Sequence, residues 1–312
     1  GGIRVVPYIN GRLWDTDTVS FANEGAQQSC TKDVNQERYI ENWGQQNHSV
    51  QCPSTAAWQR RVAGIVERMA RELDVDGVYI DQIASYYPMR CFDPTHPHAA
   101  GTGEYWVPSY RKLVELCQQR GRAAKPDLAL TTEDHAEPFL DLFDGCLTCN
   151  AAFAASGLIP MFHHVYSGYG ILYGRYNTPP DSDEHALTFR QKNAQMLVWG
   201  TQIGWLDDTQ LGHREEETAY FAALAKAYLA ARPFCLYGRM LRPMVMAGDA
   251  PELSAEWHPG QVATMPAVLH SAWESREGEL GLIATNTDTV PHTVSLRVPR
   301  GWTTDRVTGL EE

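Results

Sequence analysis

The sequence predicts an α/β fold: a (β/α)8 TIM-type barrel that lacks its first two β/α units, followed by a small antiparallel β-sandwich domain. Strand-like and helix-like segments alternate through residues 1–235, the order typical of a parallel sheet covered by helices. Several predicted strands end on carboxylates, and the carboxyl ends of barrel strands carry the active site. After Arg232-Pro233 apolar and polar residues alternate, a pattern that favours half-buried antiparallel strands.

The first predicted strand, at 3–9, contains Pro7, which cannot donate to a strand ladder and suits an unpaired edge. A long polar segment at 15–53 follows, and Ser54 or Thr55 can cap the next helix, whose apolar residues recur at helical spacing. The later predicted elements are a strand at 77–81, helices at 106–120, 138–143, 184–201 and 215–231, and strands at 128–133, 145–149, 162–166 and 203–207.

These segments supply six strands, whereas a barrel of this class has eight and needs about 250 residues. We therefore expect residues 1–235 to form a barrel domain without its first two units, the alternative being a strand overlooked in the long loops. Residues 236–312 are expected to form the β domain. Within it, the stretch GLIATNTDTVPHTVSLRV predicts two strands joined by a turn.

Composition narrows the range of partners. The net charge of −12 argues against nucleic-acid binding, which requires a basic face, and no apolar run reaches the roughly 18 residues that span a bilayer. The seven cysteines form no dense disulfide pattern, and Cys146-x-x-Cys149 has no second pair of the kind that zinc sites use. We expect a soluble protein without metal or cofactor; its compartment and oligomeric state stay open.

Polar and aromatic side chains gather where the predicted strands end. Two carboxylates facing each other across a cleft can act as nucleophile and proton donor on a glycosidic bond, and the chain's nine Trp and fourteen Tyr suit stacking on sugar rings. Asp81 and Glu133 are the candidate catalytic pair. The candidate substrate-binding residues are Tyr8, Asn10, Arg12, Trp14, Asp15, Gln82, His135, His163, Trp205, Asp207 and Asp208.

Each of these residues also has a structural interpretation. Asp81 could cap the following turn, and Glu133 could form an ion pair with Arg12 or Arg190. Asp207-Asp208 could cap the next helix, and His163-His164 could simply pack. At the level of function, one alternative is a non-catalytic carbohydrate-binding barrel. A metal-dependent hydrolase is weaker, since its ligands, His135, His163, His164 and Asp207, follow no recognised spacing.

Several long motifs resemble a bacterial family of unknown function described as hypothetical glycosyl hydrolases. The resemblance covers residues 3–235 and includes a stretch at 166–176 with Tyr and Arg. The other motifs are VVPYINGRLWD, CPSTAAWQRRVAGIVERMARELDVDGVYIDQI, CFDPTHPH and ALTTEDHAEPFLDLFDG. More distantly, the order of an Asp and then a Glu at successive strand ends is similar to the α-amylase clan and the endo-α-N-acetylgalactosaminidases.

That resemblance implies a barrel glycosidase acting on an α-linked carbohydrate, with Asp81 matching the nucleophile and Glu133 the acid/base. Asp207 or Asp208 could match a further sugar-holding Asp, although on the last strand rather than on the expected one. Consecutive strands bring the two catalytic carboxyl groups close, which predicts retention of configuration. We further expect the segments 15–53 and 86–105 to lie over the carboxyl ends of the strands, with His96 or His98 near the cleft.

Overall fold

The computed structural model describes residues 2–149, 160–248 and 250–298. The fold is mixed α/β, with one parallel sheet and several separate antiparallel sheets. The chain divides into two units, Gly1–Cys146 and Leu147–Glu312, which are described in turn. None of the helices described has both the length and the apolar run that crossing a bilayer requires.

The first unit alternates short strands with two long helices. Its elements in chain order are β1 (Tyr8–Asn10), β2 (Leu13–Asp15), α1 (Val19–Asn23), a 3-10 turn (Ala26–Ser29), β3 (Ile40–Trp43), β4 (Gln46–Val50), α2 (Ala56–Glu72), β5 (Gly77–Asp81), α3 (Trp106–Ala124), β6 (Ala129–Glu133), a 3-10 turn (Glu137–Phe139) and β7 (Gly145–Leu147), within which the second unit begins.

The parallel sheet of this unit has the order β1-β5-β6-β7. In its register Asn10 lies opposite Asp81, and Ile80 lies opposite Thr132. Val78 and Ile80 are fully buried, as expected for a parallel strand covered on both faces. Because β5 and β6 run in the same direction as neighbours, the strands end side by side and place Asp81 and Glu133 at one edge.

Helices α2 and α3 pack against each other beside this sheet. Their buried residues recur every three or four positions, as in an amphipathic helix with one apolar face. These residues are Trp58, Val62, Val66 and Ala70 on α2, and Trp106, Tyr110, Leu113, Val114 and Cys117 on α3. Both helices were predicted from the sequence, the first from its apolar spacing, and the structure confirms them.

The segment 15–53, predicted as one irregular loop, instead contains α1 and most of a three-stranded antiparallel sheet in the order β2-β4-β3. The sequence hides β3 and β4 because their residues, IENW and QNHSV, are mostly polar and exposed and lack apolar alternation. The first predicted strand, 3–9, is also shorter than expected, since regular pairing begins only at Tyr8, after Pro7.

The second unit begins with helices and ends with strands. Its described elements are α4 (Met161–Tyr166), β8 (Ile171–Tyr173), α5 (Asp183–Val198), α6 (Glu215–Cys235), β9 (Arg239–Leu241), β10 (Val245–Gly248), β11 (Glu252–His258), β12 (Gln261–Pro266), β13 (Val268–Glu274), β14 (Leu280–Asn286) and β15 (Val294–Arg297). Trp273 is fully buried in a core that Leu197, Leu224 and Tyr228 share.

The strands after α6 form three antiparallel groups, β9-β13-β14, β10-β15 and β11-β12. The two strands predicted within GLIATNTDTVPHTVSLRV are present as β14 and β15, but β14 pairs with β13 and β15 with β10. Helix α6 ends at Cys235, and every later regular element described is a strand. The domain boundary near residue 235 stays a prediction.

Two predicted strands of this unit are wrong. Residues 162–166 belong to the helix α4, in which Phe162 and Tyr166 lie one turn apart with ring centroids separated by 4.7 Å, a spacing that favours a helix. The predicted strand at 203–207 is absent because Gly204 and Trp205 both have positive φ angles, 147° and 61°. The strand β8, at Ile171–Tyr173, was not predicted.

Two helix glycines provide a matched test of the packing between α2 and α3. A Cβ added at Gly121 would lie 2.6 Å from Leu128 Cδ2 and 3.0 Å from Val66 Cγ1, whereas at Gly64 the nearest atom is 3.7 Å away. Gly121→Ala should lower the free energy of unfolding by about 1–3 kcal/mol. Gly64→Ala should raise it by about 0.5–1 kcal/mol through helix propensity. Urea denaturation measures both, and equal effects would contradict this packing.

Candidate active site

Two carboxyl groups meet at the ends of β5 and β6. Asp81 ends β5 and Glu133 ends β6, each one position after the paired residues Ile80 and Thr132. Burial, opposed by a hydrogen bond from Ser85 and reinforced by the contact with Asp81, raises the pKa of Glu133 to about 7. The Ser85 hydroxyl donates to Glu133 Oε2 at 2.7 Å. Near neutral pH Glu133 therefore carries a proton for about half of the time.

Asp81 is held by donors from the neighbouring strand β1. The Tyr8 hydroxyl donates to Asp81 Oδ2 at 2.7 Å, and Asn10 Nδ2 donates to the same oxygen at 3.2 Å. Burial is the main cause that raises the pKa of Tyr8 to about 12. The hydrogen bond from Asn10 opposes this rise, and the neighbouring carboxylate of Asp81 adds to it. Tyr8 thus remains a proton-carrying donor, and Asp81 Oδ2 accepts from two side chains.

Asn10 is itself fixed by the backbone that leaves β1. Its Oδ1 accepts hydrogen bonds from the backbone N–H groups of Arg12 at 2.9 Å and Leu13 at 2.7 Å. This orientation assigns the amide nitrogen to the side of Asp81. At Gly11 the chain passes so close to β5 that an added Cβ would lie 2.8 Å from side-chain atoms of Ile80 and Ile83. Glycine therefore lets the chain pass close to β5.

A buried ion pair supports the residue after Asp81. Arg12 is fully buried and donates to both carboxylate oxygens of Glu41, at 2.8 and 2.6 Å. Its Nε donates to Gln82 Oε1 at 3.1 Å, and its guanidinium lies 3.5 Å from the ring centroid of Tyr86. Although burial acts in the opposite direction, the hydrogen bonds from Arg12 hold the pKa of Glu41 below its usual value.

The backbone is strained directly after each of the two strands. Gln82 has a φ of 63° and Asp134 a φ of 55°, and both follow a candidate catalytic carboxylate. Side chains other than glycine rarely adopt this left-handed region, and such residues concentrate at functional sites. The strain turns the chain away as soon as the strand ends, and each carboxylate lies at that turn.

Aromatic rings near the pair are open to solvent. Tyr8 is 58% exposed and stacks on Tyr79 with a centroid separation of 5.8 Å. Tyr86 and Tyr87 stack at 4.6 Å, and Tyr87 is exposed. Exposed rings of this kind suit the apolar faces of a sugar. Trp14 differs, since it is buried against Phe21, Trp58 and Arg61, which leaves it no open face for stacking.

Asp15 and His135, two other predicted site residues of the first unit, have surroundings of their own. Asp15 follows β2, and its side chain accepts from the backbone of Asp17 at 2.9 Å within a turn. His135 is half-buried; burial lowers its pKa, opposed by the charge of Asp134. One residue each of the segments 15–53 and 86–105 reaches the end of β5, because Glu41 and Tyr86 both contact Arg12, which donates to Gln82. That both segments lie over this face, with His96 or His98 near the cleft, stays a prediction.

The remaining predicted residues belong to the second unit and do not follow a strand end. His163 is buried on α4 with its ring 5.1 Å from Trp199. Trp205 is half-exposed with its ring 5.8 Å from Tyr176. Asp207 caps a turn through the Thr209 hydroxyl and N–H, which lower its pKa, and Asp208 is exposed.

The sequence also allowed Glu133 to form an ion pair with an arginine and Asp81 to cap a turn. Arg12 pairs with Glu41, and Arg190 pairs with Glu217, so the two arginines proposed as partners of Glu133 are engaged elsewhere. Asp81 accepts side-chain donors from β1 rather than the N–H groups of a following turn. The proposed metal site of His135, His163, His164 and Asp207 has no counterpart among the ligand clusters of the described residues.

Comparison with known proteins places the chain in a family. Residues 1–177, more than half of the chain, match the family described as Domain of unknown function (DUF6259). The chain belongs to the DUF6259 family. This agrees with the resemblance to a family of hypothetical glycosyl hydrolases stated above.

Curated relatives of this DUF6259 chain carry glycosidase names. A protein of Bacteroides thetaiotaomicron named "Putative glycoside hydrolase" is 31% identical over 94% of the chain and 43% of its own length. A Monosiga brevicollis protein with a similar name is 28% identical over 87% of the chain and 25% of its own length. The chain thus spans less than half of each of these relatives.

Solved structures show the same fold at low identity. The alpha-N-acetylgalactosaminidase NagBb from Bifidobacterium bifidum, in complex with GalNAc, aligns with a TM-score of 0.57 and 12% identity over 92% of this chain and 41% of its own. A GH36 alpha-galactosidase from Geobacillus stearothermophilus aligns at 0.57 and 11%, over 88% and 35% of the two chains. A GH31 family sulfoquinovosidase from E. rectale aligns at 0.55 and 11%, over 95% and 51%.

Three residues of the candidate site were not predicted from the sequence. Ser85 donates to Glu133, Glu41 neutralises Arg12, and Tyr86 donates to Glu41 Oε1 at 3.0 Å. Ser85 and Tyr86 could have been found, because they follow Asp81 within a few positions in DQIASYYP. Glu41 could not, since it comes from a polar strand with no distinguishing pattern.

The raised pKa of Glu133 predicts how stability changes with pH. Because the folded pKa of about 7 exceeds the ordinary value of 4.5, the folded state binds the proton more tightly. That contribution is fully present below about pH 4.5 and is lost as the pH rises through about 7. Glu133→Gln mimics the protonated side chain. Relative to the wild type, it should gain about 1–3 kcal/mol of unfolding free energy between pH 4 and pH 8.

Urea denaturation at several pH values measures this difference. Glu137→Gln, at an exposed glutamate four residues later, is the control and should leave the pH profile of the wild type unchanged. A constant difference between Glu133→Gln and wild type across this range would contradict the raised pKa.

Proposed function

We propose that this chain carries the catalytic residues of a retaining glycoside hydrolase that cleaves an O-glycosidic bond, α-linked by the resemblance to α-glycosidases. The observation that carries the proposal is the contact between Asp81 and Glu133 at adjacent strand ends, together with a pKa of about 7 for Glu133. The names of the relatives and the glycosidase fold support the same class.

The two carboxyl groups have different roles because their surroundings differ. Asp81, with donors from Tyr8 and Asn10 on Oδ2, is the anion and attacks the anomeric carbon through Oδ1. Glu133, raised in pKa by burial and by Asp81, carries the proton that it gives to the leaving oxygen. Attack forms a glycosyl ester on Asp81. Glu133, now ionised, takes a proton from water, which hydrolyses the ester and restores both groups.

The separation of the two groups supports retention. Retaining enzymes hold their carboxyl groups about 5–5.5 Å apart, whereas inverting enzymes need roughly 6.5–9.5 Å to admit a water between carboxylate and sugar. Asp81 and Glu133 follow the paired residues Ile80 and Thr132 on adjacent strands, which lie about 4.8 Å apart, and this register supports the shorter, retaining separation. The geometry therefore favours direct attack by Asp81.

We extend the proposal to the fold around the site, which we assign to the (β/α)8 barrel class. The parallel strands β1, β5 and β6 and the helices α2 and α3 follow the repeat of a (β/α)8 barrel. In such barrels the active site lies at the carboxyl ends of the strands, where Asp81 and Glu133 lie. The alignments with glycosidases are consistent with this assignment.

Replacing the nucleophile tests the proposal most simply. Asp81→Asn keeps the shape of the side chain but cannot form the glycosyl ester, so kcat on aryl α-glycosides should fall by about 10³-fold or more. Asp127→Asn is the control, since Asp127 is exposed just before β6 at the opposite end of the sheet. Ordinary turnover by Asp81→Asn, with its fold intact by circular dichroism, would favour the non-catalytic carbohydrate-binding alternative.

The acid/base role predicts a dependence on the leaving group. In Glu133→Gln, aryl glycosides with poor leaving groups should slow by about 10²–10⁴-fold, because their departure needs the proton. Activated aryl glycosides should lose much less in the first step. A uniform loss across a series of phenols of graded acidity would contradict the assignment of Glu133 as the acid.

A further inference from the structure

A second group of reactive side chains lies in the first unit, in a region to which the proposed glycosidase chemistry assigns no role. Cys52 lies just before α2, and Cys91, His96 and His98 lie in the segment between β5 and α3. One nitrogen or sulfur atom from each of the four residues lies within 4.8 Å of all the others. Three of the residues are buried, and His98 is half-buried.

Each histidine is oriented by a backbone carbonyl on its far side. His96 Nε2 lies 3.0 Å from the carbonyl oxygen of Gln28, and His98 Nδ1 lies 3.0 Å from that of Ala99. A carbonyl oxygen only accepts, so the nitrogen facing it carries the ring proton. His96 Nδ1 and His98 Nε2 are then left with lone pairs, the form in which neutral histidine binds metals.

Those two lone pairs point at the two thiols. His96 Nδ1 lies 3.3 Å from Cys91 Sγ, and His98 Nε2 lies 3.5 Å from Cys52 Sγ. Tetrahedral zinc, with Zn–S of about 2.3 Å and Zn–N of about 2.0–2.1 Å, places a sulfur and a nitrogen ligand about 3.6 Å apart. The spacing between the side chains thus already fits a common ion.

We propose that Cys52, Cys91, His96 and His98 form a structural Zn²⁺ site. Two thiolates and two imidazoles are a donor set that zinc prefers, and four protein ligands with little exposure make a closed site rather than a catalytic one. The backbone carbonyls of Gln28 and Ala99 fix both rings. The sequence hides the cluster because Cys52 lies 39 positions before Cys91, outside any short motif.

The site joins two segments of the first unit, 15–53 and 86–105. Around it, the Phe92 N–H donates to the Lys32 carbonyl at 2.8 Å, and Lys32 pairs with Asp93 at 2.6 Å. Tyr105 stacks on His98 at 3.9 Å and donates to the Met89 carbonyl at 2.8 Å. Zinc would therefore hold the segment 86–105 against the segment 15–53.

Metal analysis of the purified protein tests this site independently of activity. The chain is purified under reducing conditions with zinc present, dialysed without chelator, and measured by plasma mass spectrometry. We expect one zinc per chain in the wild type and in Cys117→Ala, which removes a buried thiol of α3 outside the cluster. Cys91→Ala and His98→Ala should lose most of the metal.

A cobalt-substituted wild type gives the same information without a variant that must fold. Two thiolate and two imidazole ligands predict a sulfur-to-cobalt charge-transfer band in the near ultraviolet and intense visible bands typical of a tetrahedral ion. Wild-type protein without zinc and without these bands would overturn the proposal. So would mass spectrometry that finds Cys52 and Cys91 joined in a disulfide in the reduced preparation, or full zinc content in Cys91→Ala.

Discussion

The contact between the carboxyl groups of Asp81 and Glu133 is the constraint on which the candidate site depends. Burial, opposed by the hydrogen bond from Ser85 and reinforced by the carboxylate of Asp81, raises the pKa of Glu133 to about 7. The surroundings of the two groups differ, because Tyr8 and Asn10 donate to Asp81, whereas Glu133 is partly buried and accepts from Ser85. That division supplies an anion and an acid side by side, which is what cleavage of a glycosidic bond with retention requires.

The surrounding structure keeps this unfavourable contact in place. The register of β1, β5 and β6 puts Asn10 opposite Asp81 and brings the ends of β5 and β6 together. Beyond the strand ends, the ion pair of Arg12 with Glu41 is buried on the arginine side and fixes Gln82. Removing one partner of such a pair typically costs about 3–5 kcal/mol, because the other charge stays buried.

Sequence patterns predicted the elements that rest on local periodicity. Local patterns predicted the helices α2 and α3 and the buried strand Gly77–Asp81. The end of that strand then identified the carboxylate of Asp81. The failures have physical reasons. Trp14 was expected to face sugar but packs in the core, because an aromatic residue suits both environments and only the tertiary contacts distinguish them. Residues 162–166 suit both a strand and a helix, and the stacking of Phe162 on Tyr166 stabilises the helix.

Contacts between distant segments were the other part that the sequence could not predict. Glu41 reaches Arg12 from a polar hairpin, and Cys52 lies close to Cys91, which follows 39 positions later. Neither Glu41 nor Cys52 lies in a local sequence pattern that distinguishes it from a solvent-exposed residue. The first pair depends on how the segment 15–53 folds back on β1, and the second on how the segments 15–53 and 86–105 meet, and no periodicity encodes either contact.

The most direct test of this account is the titration of Glu133 itself, followed by NMR of its side-chain carboxyl carbon in the wild type and in Asp81→Asn. The account predicts a midpoint near the value of about 7 in the wild type and a lower midpoint in Asp81→Asn, where the neighbouring charge is gone. A wild-type midpoint near the ordinary 4.5 of a glutamate, or one that Asp81→Asn leaves unchanged, would contradict the coupling of the two carboxyl groups.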